Sequence, residues 1–321
     1  MRQYIVRRLL LMIPGVLFLT IFVFSMVRIV PGDVIEVIVG MQGGGRGGYM
    51  SDEMKDKVRA QLGIDKPIYI QYFVWLGQIA RGELGESLFS KIPVVDSLRK
   101  RYSVTLELII ITMIVMVVWG LAIGIISATY QDTWIDYILR SVAVLGLSMP
   151  YFWIAILVVV FGSILFNWSP PLGVNHFFDG PRLNLEQFVL PAAILGISQG
   201  SAVARMTRAT ILEIVRQDYV RTARAKGLGD RVILTRHTLR NALIPVVSLV
   251  GITFAFSLGG TVILEQIWSL PGIGTLMLKA IQQRDYPVIQ GIILVLGLLV
   301  MVTNLIVDLS YAWLNPRIRY T

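Results

Sequence analysis

No cysteine occurs anywhere in the chain, which excludes disulfides and thiolate metal sites while leaving the compartment open. Histidine is nearly absent: His176 and His237 stand far apart in sequence, which argues against a transition-metal catalytic centre. Charged residues are scarce at 15%, against 55% hydrophobic residues and a mean hydropathy of +0.70. A water-soluble domain has too little interior for that much apolar surface, so the composition indicates an integral membrane protein. There is also no GxxxxGK[ST] loop, so the chain carries no Walker-type nucleotide site of its own.

The few charges are unevenly placed. The net charge is +9, and in a membrane protein such a balance mostly reflects topology, not nucleic-acid binding. Arg205 to Arg240 holds nine Lys/Arg and three acids, while Gln187–Ala204 and Asn241–Leu264 on either side hold none. Each Arg or Lys would cost roughly 2.5–3.5 kcal/mol at the bilayer midplane, so residues 205–240 are expected as a loop between spans.

Six apolar runs meet or approach the roughly 20 residues that cross a bilayer. They are Leu9–Val27, Leu108–Tyr130 (reaching back toward Ser103), Ser141–Phe166, Phe188–Ala204, Asn241–Leu264 and Tyr286–Val307, the last continuing toward Trp313. Arg2, Arg7 and Arg8 precede the first run, and Arg317 and Arg319 follow the last. With the 205–240 cluster, these basic groups agree on one orientation, with both termini and that loop cytoplasmic. The first run has the basic start of a signal peptide. Its apolar stretch is too long for one and no small-x-small site precedes Arg28, so it is read as an uncleaved anchor. The expected fold is an all-α integral membrane protein of six transmembrane helices. Residues 1–27 form the first segment and span, 28–102 a long external region, and 103–321 a five-helix core.

The external region is nearly balanced, with eleven basic and nine acidic residues, and loops of this length translocate regardless of charge. MQGGGRGGYM (41–50) reads as a flexible linker, since no GKS or GKT follows its glycines. A helix is predicted over 51–63, stopped by Gly63. The aromatic, amphipathic stretch 64–82 is expected along the outer interface or in a small subdomain.

Within 205–240 the spacing predicts a helix over Gln217–Lys226, ended by Gly227 and Gly229. A second helix, Asp230–Leu243, leads into the fifth span through Pro245. By pattern alone this is either a solvated basic hairpin or a short helix shaped for insertion into a partner's cleft. Glu107 and Asp308 lie at span ends, where each can reach the interface or pair, Asp308 with Arg140 or Arg205. Asn304 is a candidate for an interhelical hydrogen bond. Ser257, Gly259, Gly260 and Thr261 give the fifth span a small-residue face, suited to close packing or to a pore wall.

The segment DYVRTARAKGLGDRVILTRHTLRNALIP resembles the EAA loop of permease subunits in binding-protein-dependent ABC importers, in the form of the dipeptide/oligopeptide/nickel branch. The opening YIVRRLLLMIP, PGD (31–33), LGIDKPIYIQYFVWL (62–76), GELGES (82–87), LSMPYFWIAI (147–156) and EQIWSLPGIGTLMLKAIQQRDYPVIQG (265–291) are similar to that branch's first permease subunit. The resemblance covers nearly the whole chain. The position that names the loop is Arg221 here, so no glutamate role is carried over.

The resemblance implies a permease subunit that is no enzyme, holds no cofactor and sits in a prokaryotic inner membrane. Implied partners are a second, homologous permease in a heterodimer, two ATP-binding subunits, an external solute-binding protein and membrane lipid. ATPase coupling would fall on Tyr219, Thr222, Ala223, Ala225, Lys226, Gly227, Leu228, Gly229, Asp230 and His237. Ser257, Gly260, Thr261 and Glu265 become candidates for lining the pathway. The run 268–286 would form a scoop-like or re-entrant helix facing the outer cavity. Peptide is the expected cargo, with nickel or an oligosaccharide as alternatives. A stand-alone secondary transporter is the competing class, yet the spans show neither internal repeats nor midplane charges.

Overall fold

A computed structural model of the 321-residue chain describes residues 2–29, 66–174 and 180–314. The expected linker at 41–50 and helix at 51–63, the PGD at 31–33, His176, Arg317 and Arg319 lie outside the described residues. Among the described residues there are ten helices and no strand. They are α1 (Arg2–Ile29), α2 (Ile68–Ala80), α3 (Val94–Thr129), α4 (Trp134–Ser148), α5 (Tyr151–Phe166), α6 (Pro181–Val215), α7 (Asp218–Ala225), α8 (Asp230–Ile267), α9 (Ile273–Gln283) and α10 (Tyr286–Leu314).

Five of these, α1, α3, α6, α8 and α10, are long and apolar enough to cross a membrane. Helices α4 and α5 pass the same test only together, and they are bent by 92° at their junction. Counting that pair once gives the six crossings expected, but the run Ser141–Phe166 is not a single straight helix. Pro150 explains the break. It holds Met149 in an extended conformation (φ −91°, ψ 126°), which ends α4, and its own carbonyl opens α5.

Two further boundaries differ from expectation. The second span's helix starts at Val94, where the Pro93 carbonyl accepts from Asp96 and Ser97 N–H and Asp96 suits the positive end of the helix dipole. The connection around 205–240 is also shorter than its polarity suggests. Helix α6 carries Arg205 and Arg208 on to Val215, and the expected second helix and fifth span are one helix, α8, with a π turn at Ile233–Thr238. Pro245 forfeits one backbone bond inside α8 without ending it, as happens in membrane helices. Only 216–229 remains as connection, and α7 fills half of it.

The described residues divide into two compact units, one from within 1–9, 102–275 and 300–321, the other from within 10–101 and 276–299. In the first unit α6 is the most buried of the long helices. Gly120 and Gly124 of α3 and Gly196 and Gly200 of α6 each form a G-x-x-x-G pair. A Cβ on Gly120 would lie 2.6 Å from the Val203 side chain, and one on Gly200 would lie 2.9 Å from the Met116 carbonyl oxygen. Such close backbone approach is what small residues provide where lipid supplies no hydrophobic drive between helices. Phe188, Ala192 and Leu195 of α6 pack with Leu108, Ala155, Leu264 and Trp268 to form the main core.

The first unit also buries charge. Asp136 of α4 is fully buried and takes a two-pronged ion pair from Arg208 of α6 (Nε to Oδ1 2.9 Å, Nη2 to Oδ2 2.7 Å). Ser127 Oγ and the Asp132 N–H also donate to this carboxylate. Asp308 pairs at 2.8 Å with Arg8, not with Arg140 or Arg205. Glu107 accepts from Asn184 Nδ2 at 2.7 Å, and Asn304 is exposed.

In the second unit α2 has no buried residue, and Ile68, Tyr69, Phe73 and Val74 are exposed, as suits an interfacial helix. Its Tyr72 hydroxyl meets Thr20 Oγ1 of α1 at 2.9 Å, and Phe24 packs on Tyr72 and Trp75.

Candidate functional site

Helix α7 projects from the first unit on two buried side chains. Val220 and Ala223 pack with Ile233 of the π turn and Ile214 at the end of α6. Gln217 precedes the helix in an extended conformation, and Asp218 occupies its first turn. The chain then leaves α7 through Gly227, whose φ of +81° is available to glycine and strained for other residues. This packing fixes which face is free. Tyr219, Arg221, Thr222, Arg224, Ala225, Lys226, Leu228, Gly229 and Asp230 are all exposed. Ala223 is not: at 6% exposure it holds the helix to the protein and cannot meet a partner.

The free face is ordered by local bonds. Arg224 pairs with Asp230 at 3.4 Å and Arg221 with Asp218 at 3.6 Å. The Tyr219 hydroxyl accepts from Asn241 Nδ2 at 3.1 Å, and the same amide donates to the His237 carbonyl. His237 itself is half-buried in the π turn of α8. A Cβ on Gly227 or Gly229 would meet nothing within 4 Å, so both glycines leave open space above the backbone. The result is a small, rigid and largely cationic knob with a glycine-bounded end.

The other predicted cluster behaves differently. Ser257, Thr261 and Glu265 are fully buried, so within this chain they face neighbouring helices and not an open pathway. Ser257 Oγ donates to Gln199 Oε1 at 2.8 Å. Glu265 accepts from Thr105 Oγ1 (2.6 Å) and from the Thr275 N–H (3.0 Å), while the Ile273 N–H donates to Thr105 Oγ1 (2.7 Å). The carboxylate therefore holds the Pro271–Gly274 turn against α3. Gly260 is half-buried beside Leu195 and the Tyr151 hydroxyl. The open face of α8 lies elsewhere, at Ile252, Phe256, Gly259 and Ile263.

Two segments distant in sequence meet in the second unit. Asp285, 3% exposed, accepts from Ser87 Oγ at 2.5 Å and from the Leu88 N–H at 3.2 Å. This joins GELGES to RDYP. Beside it lies a cavity of about 420 Å³ with Lys100, Arg101 and Lys279 in its lining, and among the described residues none of the three is in an ion pair. Sequence reading missed Asp285, Asp136 and the paired glycines. The repeated G-x-x-x-G spacing at 120–124 and 196–200 was the available signal for the last.

Comparison with known proteins agrees with this arrangement. Residues 120–320 match the family model for the binding-protein-dependent transport system inner membrane component, and residues 1–109 match its companion N-terminal model. The glutathione transport system permease protein GsiC of Escherichia coli O6:H1 (strain CFT073) is 37% identical over 320 residues, covering all of both chains. A Brucella abortus (strain 2308) relative, named provisionally as a peptide transport system permease protein, is 38% identical over the same length. A solved inward-facing MetNI methionine ABC transporter shares the fold, with a TM-score of 0.55 at 17% identity, covering 68% of this chain and 96% of that one. Fold, spans and family match together define a membrane-embedded transport subunit. The chain belongs to the binding-protein-dependent transport system inner membrane component family. It is accordingly a permease subunit of an ABC importer, working in the inner membrane with ATPase and binding-protein subunits and not itself catalytic.

Proposed function

We propose that this chain forms half of the translocation pathway for di- or oligopeptides, paired with a second, homologous permease. The peptide class is supported by the full-length relatives, whose names assign them to glutathione or peptide transport. In this reading α7 and the following 226–230 segment dock in a cleft on the cytoplasmic ATPase. Their exposed, glycine-bounded, cationic surface is the single observation that carries the docking assignment.

Coupling follows from how α7 is held. Val220 and Ala223 tie it to α6 and α8, so displacement of the knob by a closing ATPase moves the ends of two long helices as one body. The 268–286 region and the basic cavity at Lys100, Arg101 and Lys279 lie on the external side, where a loaded binding protein delivers its cargo. The open stripe of α8 at Ile252, Phe256, Gly259 and Ile263 replaces the buried small-residue face as the surface offered to the pathway or to the second permease.

The test is purification of the tagged chain in mild detergent, followed by reconstitution with whatever co-purifies. Co-purification of an ATPase and a second permease, with ATP-driven uptake of a peptide, is expected. Uptake of nickel or an oligosaccharide but no peptide would overturn the substrate class, and a chain that transports alone would overturn the subunit assignment.

A further inference from the structure

A second basic cavity, unrelated to the coupling knob, lies in the first unit between α3, α4 and α6. Its volume is about 260 Å³, and Arg140 and Arg205 line it together with apolar Ile123, Leu139 and Val144. Arg208 and Ser127 also line it, but both are committed to the buried carboxylate of Asp136. That commitment neutralises Arg208 and leaves two cations. Among the described residues neither Arg140 nor Arg205 is in an ion pair. Arg140 lies only over the Tyr137 ring, 5.9 Å from its centre.

The surroundings indicate what would neutralise them. Tyr130, Trp134 and Tyr137 are exposed around the α3–α4 corner, the position aromatic side chains take at a membrane–water interface. Ile126, Ile138 and Val144 are exposed close by, so hydrocarbon lies next to the cations. A soluble anion would use the arginines and leave this apolar wall in water. A molecule with a phosphate head and acyl chains satisfies both, and basic pockets between membrane helices near the cytoplasmic face recognise such headgroups.

We infer that this cavity is a binding site for one anionic phospholipid, with its phosphate between Arg140 and Arg205 and its chains along α3 and α4. The lipid would hold α4 to α6 beside the Asp136–Arg208 pair. The inference goes beyond the proposed function and requires only that α3, α4 and α6 sit in a bilayer, so its failure leaves the importer assignment intact.

The test is native mass spectrometry of the detergent-purified complex titrated with phosphatidylglycerol or with phosphatidylcholine. Wild type is expected to bind phosphatidylglycerol preferentially. The Arg140→Gln/Arg205→Gln double variant should bind it about thirty-fold more weakly, at roughly fivefold per lost cation. Arg140→Lys/Arg205→Lys should retain most of the preference, showing that the loss is not misfolding. Arg182→Gln, an exposed charge outside the cavity, should change nothing. Equal binding of both lipids, or an equal loss in Arg182→Gln, overturns the site. Displacement of the lipid by inorganic phosphate would assign the cavity to a free anion and overturn the lipid.

Discussion

The carboxylate of Glu265 fills the space that a side chain at Gly272 would need, so the turn after α8 is possible only with glycine there. Gly272→Ala should therefore destabilise the chain by about 1–3 kcal/mol through overpacking. Glu265→Ala should cost a similar amount, about 1–3 kcal/mol, by leaving the Thr105 hydroxyl and the Thr275 N–H without their acceptor. The double variant should lose less than the sum, because removing the carboxylate makes room for the new methyl. Thermal unfolding of the four proteins in one detergent measures this, and strict additivity would show that the two residues do not interact.

Helices α3 and α6 approach through facing glycine pairs. Gly200→Leu has no space to enter, with the Met116 backbone where its Cβ would go, and should block assembly of the first unit. Gly77→Leu on α2, where no atom lies within 4 Å of the new Cβ, serves as the matched control. Yield of monodisperse protein in detergent is the readout.

The Asp136–Arg208 pair should show the asymmetry of buried ion pairs. Asp136→Ala leaves a half-buried arginine uncompensated and should cost about 3–5 kcal/mol. Adding Arg208→Met should recover much of that loss. Loss of helical signal on heating would report both, and a double variant no better than the single one would show that the pair does not act as a unit.

Asp285 ties RDYP to GELGES. Asp285→Ala should free the 82–93 turn and expose it to proteolysis, whereas Asp285→Asn keeps an acceptor for the Leu88 N–H and should remain largely protected. Equal protection of both variants would show that packing alone holds the turn.

The long elements were legible in sequence because twenty-residue apolar runs have one physical solution in a bilayer. The break at Pro150 was not read, since hydropathy is blind to a lost N–H inside an apolar run. The reach of α6 beyond Ala204 was hidden for the opposite reason: Arg205 and Arg208 look like loop residues until Asp136, seventy-two positions away, is known to neutralise one of them. Glu265 and Ser257 were placed on a pathway because polar residues in spans suggest function, whereas here their partners on α3, α6 and the following turn make them packing residues. For the α7 knob, sequence supplied the helix and its glycine end. Which face was free required the contacts of Val220 and Ala223 with Ile233.

Docking of the 226–230 segment on the ATPase is tested most directly by disulfide or bifunctional cross-linking. The native chain has no cysteine, so Leu228→Cys provides a single thiol on the exposed knob. Gly229→Arg is the matching steric block: Gly229 has a negative φ of −66° and open space at its Cβ, so a bulky side chain there obstructs a partner without straining the backbone as one at Gly227 would. Docking predicts a cross-link from Leu228→Cys to the ATPase, none from Phe73→Cys on α2, and loss of ATPase association in Gly229→Arg. An ATPase that stays bound to Gly229→Arg and never cross-links to Leu228→Cys would contradict it.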